Sequence, residues 1–339
     1  MIALLVSLFF FTPWFADNFG VVKLFASGVC CFILVACSGP KIVRPSPLWT
    51  PILLFLAAMV LSWWFSVDRE MGLIGGFGQP YYGLSIALQC AIIFAIGVPL
   101  TELADWTVAA LGSEGFICAL NLNGWPVWAV VNHRAVGTIG QPAFLAAWVA
   151  VAGPLVWRSR YRWPGVFFTA FLLYATQGRG AALAIVLAAA VVWNWKAALV
   201  LVLFVPLTFT RAKRQSDVTR AVTWSVAARA GFEHPVLGWG TDAFSIVERA
   251  SKMSRDAARM DTRNSAAASA HDDVLEVWAT MGLVGLLAYG FLLWWIVKNC
   301  KGADPVLVVS LLSLFIQAKV NILPNAAMLW AAAVLSCVA

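Results

Sequence analysis

HDDVLEVWATMGLVGLLAYGFLLWWIVK, residues 271–298, decides how this chain is read. His271, Asp272, Asp273 and Glu276 run directly into 274–296, an apolar stretch long enough for a helix to cross a bilayer, which takes roughly 20 residues. An ionisable cluster at a membrane surface is costly, so it reads as a functional site by default.

The surrounding composition fits that reading. Of 339 residues, 62% are hydrophobic and 12% charged, against about 25% charged in a soluble domain. Mean hydropathy is +0.84. The apolar runs are too many for one buried core, and they are continuous rather than alternating, which excludes a β-barrel. The expected fold is all-α and polytopic, a single membrane domain over 1–339. The 18 Trp suit bilayer interfaces. The net charge of +7 comes mostly from basic groups beside apolar spans, so it points to orientation and contact with membrane lipids rather than to nucleic acid. Cys30, Cys31, Cys37, Cys90, Cys118, Cys300 and Cys337 have neither CxxC nor zinc-type spacing, so neither a disulfide framework nor a metal is expected. Residues 1–15 read as a retained helix rather than a removed signal peptide.

About twelve spans are expected, at 1–16, 20–38, 48–66, 82–99, 104–120, 142–157, 164–177, 180–195, 197–210, 274–296, 304–322 and 324–338. The weakest is 104–120, interrupted by Asp105, Glu114 and two glycines. One set of loops carries Lys41, Arg44, Arg158, Arg160, Arg162, Lys196, Lys298 and Lys301. The positive-inside rule makes that set cytoplasmic, together with both chain ends. The opposite set, including the long loop 211–273, faces outward. Within that loop Val218, Val222, Val226 and Ala230 recur at i+4 spacing, as in a helix lying on the membrane. His234-Pro235-Val-Leu-Gly238-Trp239-Gly240 supplies a turn. A second amphipathic stretch, 241–250, starts at Thr241 as N-cap. The Ser/Ala-rich 264–270 is a flexible approach to His271.

Four features gather on the outer side. Thr176-Gln-Gly178-Arg179-Gly180 interrupts an apolar run, and Asn132-His133-Arg134 precedes Gly137-Thr-Ile-Gly140-Gln141-Pro142. Arg220-Ala-Val-Thr-Trp224 opens the loop helix, and His271 ends the loop. Arg179 could simply snorkel, but glycine on both sides speaks for a backbone that must turn sharply. For Arg220 a lipid contact is an even match for a substrate contact. A helix starting near 269–272 places His271 in its first turn, where the dipole keeps the imidazole neutral and able to take a hydroxyl proton. His133 and His234 read as interface residues. Gly282, Gly285 and Gly290 read as close-packing positions.

These parts suit one chemistry. A lipid-linked diphosphate lies near the headgroups, where arginines bind its oxygens bidentately. Diphosphate neutralised in this way leaves without a general acid, while the acceptor hydroxyl needs a base.

The order and spacing of these motifs over roughly 130–290 resemble the O-antigen ligase and O-antigen polymerase superfamily, which includes the pilin-type O-oligosaccharyltransferases. Thr176-Gln-Gly-Arg179-Gly-Ala, Arg220-x-x-x-Trp224, Pro235-Val-Leu-Gly238-Trp-Gly240-x-x-x-Phe244, His271-Asp-x-x-Leu275-Glu276 and Gly282-x-x-Gly285 carry the resemblance. It implies an inverting, metal-independent glycosyltransferase without a cofactor, acting on the periplasmic face of the bacterial inner membrane. The donor would be an undecaprenyl-diphosphate-linked glycan. Arg179 and Arg220 would bind the diphosphate, His271 would activate the acceptor, and Arg134, Asp272 and Glu276 would be further substrate contacts. The acceptor most expected is lipid A core, as in an O-antigen ligase; a second lipid-linked repeat (polymerase) or a pilin hydroxyl are the alternatives. The sequence departs from the family at Gly178, where Ser is frequent, at Asp272, where Asn is frequent, and at Gln141-Pro142-Ala143, where Asn-Pro-Asn is frequent.

Two other classes rank lower. A polysaccharide transporter or flippase predicts internal repeats and charged or broken helices at mid-membrane. A metal-dependent transferase would need Asp68-Arg69-Glu70 as its carboxylate pair, a stretch better read as a salt-bridged loop.

Overall fold

The computed structural model describes residues 1–9, 20–38, 45–75, 83–123, 134–194, 214–250, 269–319 and 323–338. The expected span at 197–210, His133, and the 264–268 part of the approach to His271 lie outside the described residues, as do Lys41, Arg44 and Lys196.

Every described element is helical, in line with the all-α expectation, and there is no strand among the described residues. The helices are α1 (Ile2–Phe9), α2 (Gly20–Ser38), α3 (Trp49–Trp64), α4 (Arg69–Ile74), α5 (Leu84–Ile96), α6 (Leu100–Leu122) and α7 (Pro142–Ala152). They continue with α8 (Arg162–Ala175), α9 (Arg179–Trp193), α10 (Arg214–Glu233), α11 (Phe244–Ala250), α12 (Asp273–Asn299), α13 (Pro305–Ala318) and α14 (Asn325–Val338). Two of them, α6 with 23 residues and α12 with 27, are long and apolar enough to cross a membrane by length and composition. The weakest sequence candidate, 104–120, is therefore inside one of the two longest apolar helices. Its interruptions have partners. Asp105 accepts from Ser159 Oγ at 2.6 Å and pairs with Arg160 at 3.0 Å. Glu114 is fully buried and accepts from Thr138 N at 3.0 Å.

The hydrophobicity of these helices faces two ways. At the centre, α7 is apolar around its whole circumference and buried along nearly all of it, as expected of a helix enclosed by others. Its Trp148 meets Trp330 of α14 edge-on, with ring centroids 5.4 Å apart and both side chains fully buried. Trp330 Nε1 donates to Thr107 Oγ1 at 3.1 Å, so the indole's polar edge is satisfied inside an apolar core. On the periphery Phe25, Phe32, Phe116, Phe167, Leu287 and Val297 stand more than half exposed. A soluble surface rarely carries so many large exposed apolar side chains, and a lipid-facing one requires them.

The two ends of the bundle differ. At one, Arg158 pairs with Asp304 at 2.6 Å, Arg160 with Asp105, and Lys298 lies over the Trp295 ring at 4.5 Å. The basic loop residues assigned to one side of the membrane thus collect at one end. At the other end α13 finishes beside the start of α9: the space beside Gly180 is bounded by Gln317 Nε2, and Ser313 Oγ donates to Ala184 O at 3.5 Å, an antiparallel pairing.

The outer segments depart from expectation in three places. Helix α10 forms where the i+4 pattern placed it, but its apolar face is not spread on lipid. Val226, Ala227 and Ala230 pack with Phe244, Val247, Ala270 and Ala279, so α10 and α11 clamp the start of α12. Thr241 does not cap α11, which begins at Phe244; its hydroxyl donates instead to Gly72 O at 2.9 Å and ties the loop to α4. Asp68-Arg69-Glu70 is not a salt-bridged loop. Asp68 caps α4 by accepting from Met71 N at 2.9 Å, while Arg69 donates to Trp64 O and lies over the Trp64 ring.

Candidate active site at the bent helix

Helix α12 is one continuous apolar pattern in sequence and two arms in space. Gly282 has φ 60° and ψ −155°, a conformation open essentially to glycine alone. Tyr289 OH donates to Asp273 Oδ2 across 16 residues. A straight helix would hold those Cα atoms about 24 Å apart, far beyond the reach of the two side chains. The arms 273–281 and 283–299 therefore fold back on each other in a V with its apex at Gly282. Val277 and Met281 of the first arm pack with Val284, Ala288 and Tyr289 of the second. Length alone makes α12 the best spanning candidate, but the bend leaves only the second arm for crossing.

Backbone groups on both sides of the apex find partners outside the helix. Trp239 N donates to Ala279 O at 3.1 Å and Gly240 N to Thr280 O at 2.8 Å; Leu283 N donates to Pro235 O at 2.8 Å and Val284 N to Val236 O at 3.2 Å. Ser62 Oγ of α3 gives Thr280 O a second bond at 2.8 Å. The Pro235–Gly240 segment is thus a plug seated in the break, which explains its glycines: a Cβ on Gly282 would lie 2.6 Å from Val236 O. Gly282 provides backbone conformation and close approach together, while Gly290, with nothing within 4 Å, is not a packing glycine.

Because α3 runs beside the second arm, with Ser62 at the apex and Phe55 against Tyr289 (centroids 5.8 Å), Asp273 sits along the second arm at the level of Phe55 rather than beyond the apex. His271 is two residues before it, with φ 58° and its N–H donating to Ser269 Oγ at 3.2 Å. The helix starts at Asp273, with Asp272 as N-cap accepting from Leu275 N at 3.0 Å. His271 therefore precedes the first turn rather than occupying it. Its ring is still neutral, for another reason: burial first, and the nearby Arg220 charge second, lower its pKa from 6.5 to about 4. Its Nδ1 is enclosed and makes no hydrogen bond among the described residues.

The elements that carry the expected site residues adjoin one another along one end of the bundle. Arg134 Nε donates to Thr176 O at 2.6 Å and Ala135 N to Ala175 O at 3.0 Å, so Arg134 lies on the turn that presents Arg179. That turn is tight: Gln177 has φ 49°, and a Cβ on Gly178 would lie 2.8 Å from Ala146. Burial lowers the Arg134 pKa, whereas Arg179 is exposed at the N-terminus of α9. From Gly180 the path crosses Gln317 to Lys319, which bonds Asp273, and reaches His271 and Arg220. Glu276 is 2% exposed and its Oε2 accepts from Ala270 N at 2.6 Å. Asp272 and Glu276 thus brace the turn that carries His271. The sequence places Asp273 in the ionisable cluster but assigns no role to it, to Tyr289 or to Lys319; the one further signal is a lysine at the edge of an apolar span. Among the described residues no group of three His, Cys, Asp or Glu could hold a metal.

Beneath this cluster lies a largely apolar cavity of about 260 Å³. Phe55, Met59, Cys90, Phe94, Met281 and Leu335 are among its walls, and Asp273, Glu276 and Tyr289 stand at its polar margin.

Residues 164–290, which include Arg179, Arg220, His271 and the whole bend at Gly282, match a family described as O-antigen ligase. This stretch of the chain is similar to the O-antigen ligase family. Arg134 stands before the matched region, joined to it by its bond to Thr176. No curated protein matched the chain.

Proposed function

We propose that this O-antigen ligase-type membrane protein is an inverting, metal-independent glycosyltransferase of the bacterial inner membrane, with about twelve spans and its site on the periplasmic side. Its donor is an undecaprenyl-diphosphate-linked glycan and its acceptor a hydroxyl of lipid A core. The carrying observation is a half-buried His271, its Nδ1 enclosed and its ring held neutral beside Arg220, at the bundle end that also presents Arg134 and Arg179.

In this reading Arg179 and Arg220 hold the diphosphate oxygens and offset the charge that develops on them as the bond to the sugar breaks. Arg134, less exposed, positions the glycan-proximal part of the donor. His271 accepts the proton of the acceptor hydroxyl as its oxygen attacks the anomeric carbon from the face opposite the diphosphate. The new C–O bond forms, the C–O bond to diphosphate breaks, and the carrier departs as its diphosphate. Departure of the leaving group from the opposite face inverts the anomeric configuration. The cavity beneath His271 suits the hydrocarbon part of a lipid substrate, since its walls offer apolar contact and little else.

Purified protein in nanodiscs, given purified donor with lipid A core, a second donor molecule, or pilin, tests the reading. Transfer to lipid A core is expected. Transfer only to a second donor or to pilin would replace the acceptor, and no transfer to any of the three would reject the function.

A further inference from the structure

At its open end the V of α12 carries two polar contacts, beyond the apolar packing of Val277 and Met281 against the second arm. Asp273 Oδ2 accepts from Tyr289 OH on the second arm, and Asp273 Oδ1 is paired with Lys319 Nζ just past the end of α13. Asp273 is buried, and Lys319 is three-quarters enclosed with its ammonium 4.4 Å from the Phe315 ring centroid. Neither bond serves the helix itself: Asp272 is the N-cap, and the amides near the bend are satisfied by the Pro235–Val236 carbonyls. An acid kept in a partly apolar setting with two partners from separate elements must be fixing those elements relative to one another.

We infer that Asp273, held by Tyr289 and Lys319, is a latch that closes the re-entrant arm and so positions His271 within the site. This rests on the functional reading above only for what His271 does there. Asp273 and its partners are positioning residues, acting through the arm two residues from the imidazole. With the latch closed the ring stays enclosed; with it open the arm can swing about Gly282 and the ring meets water.

The charged groups facing His271 make the test directional. Arg220 approaches from α10; Asp272, Asp273 and Glu276 come from its own element; Lys319 comes from the end of α13 and Asp242, beside Glu276, from the segment before α11. Replacing Asp273 by Asn removes a negative charge, which by electrostatics alone lowers the His271 pKa further. Opening the latch exposes the ring and raises it. The two effects have opposite signs.

The chain has three histidines, so isotope-labelled histidine NMR on the full protein in nanodiscs can follow each, with His271 assigned by its loss in H271Q. The titration of His271 should move from about 4 in the natural protein towards 6.5 in Asp273→Asn. Tyr289→Phe, which changes no charge and keeps the ring, should move it in the same direction by less. If Asp273→Asn fails to fold, Tyr289→Phe decides alone. An unchanged or lowered value in the folded variants would overturn the latch. The readout needs no turnover, so an inactive natural protein would reject the transferase reading and leave this one standing on its own result.

Discussion

Gly238 and Gly282 occupy each other's space. A Cβ on Gly282 would lie 2.7 Å from Gly238 N, and one on Gly238 would run into the Thr280 carbonyl carbon, while both residues have positive φ. The outer loop and the bent helix are thus built as one piece, and the direction in which His271 is presented depends on a contact between two residues 44 apart in sequence (282 − 238).

Gly282→Ala and Gly238→Ala should each destabilise the fold. Backbone strain at such φ values costs on the order of 1–3 kcal/mol, and overpacking adds about as much again. Thermal unfolding in detergent should show a clear drop in midpoint for both, and Gly290→Ala should leave it within error because nothing lies within 4 Å of that position.

Arg179→Ala should reduce transfer by about 100-fold or more, the usual loss when a group stabilising developing charge is removed. The side chain is exposed at the start of α9, so expression and elution volume should match the natural protein. Arg179→Lys keeps the charge but not the bidentate geometry and should recover only part of the rate. Steady-state assays with purified donor measure both.

The titration of His271 predicts two pH effects. As a base, it should keep kcat/KM level on the acid side down to about pH 4, where an unperturbed imidazole would already lose activity near pH 6.5. For stability, the unfolded chain takes up a proton below pH 6.5 that the folded chain refuses until about pH 4. This contribution to stability is therefore complete above pH 6.5 and lost as pH falls through that window. An acid limb centred on 6.5 would contradict both.

Activity should be unchanged by EDTA. A steep loss of transfer on chelation, restored by a divalent cation, would show that the charges are offset by a metal rather than by arginine.

Much of this architecture is legible in the sequence because lipid and periodicity leave strong marks. Apolar runs located the described helices of the bundle, and Arg158, Arg160 and Lys298 marked one end of it. Helix α10 and the turn at Gly178–Arg179 were legible from i+4 spacing and paired glycines. The bend was not: a glycine in an apolar run reads as a packing position, and only the φ of Gly282 with the seated Pro235–Gly240 segment reveals the reversal. The Asp273–Lys319 pair spans 46 residues, and nothing local in sequence joins its members. The neutrality of His271 was legible, but its cause is burial and Arg220 rather than the helix dipole, because the helix starts two residues later.

The most direct measurement is transfer and donor binding by His271→Ala, made side by side on purified protein with a fluorescent lipid-diphosphate donor and lipid A core. Donor binding within a few-fold of the natural protein, with transfer lowered by about 100-fold or more, is the predicted result. Transfer at the natural rate in His271→Ala would contradict the assignment of His271 as the base that activates the acceptor.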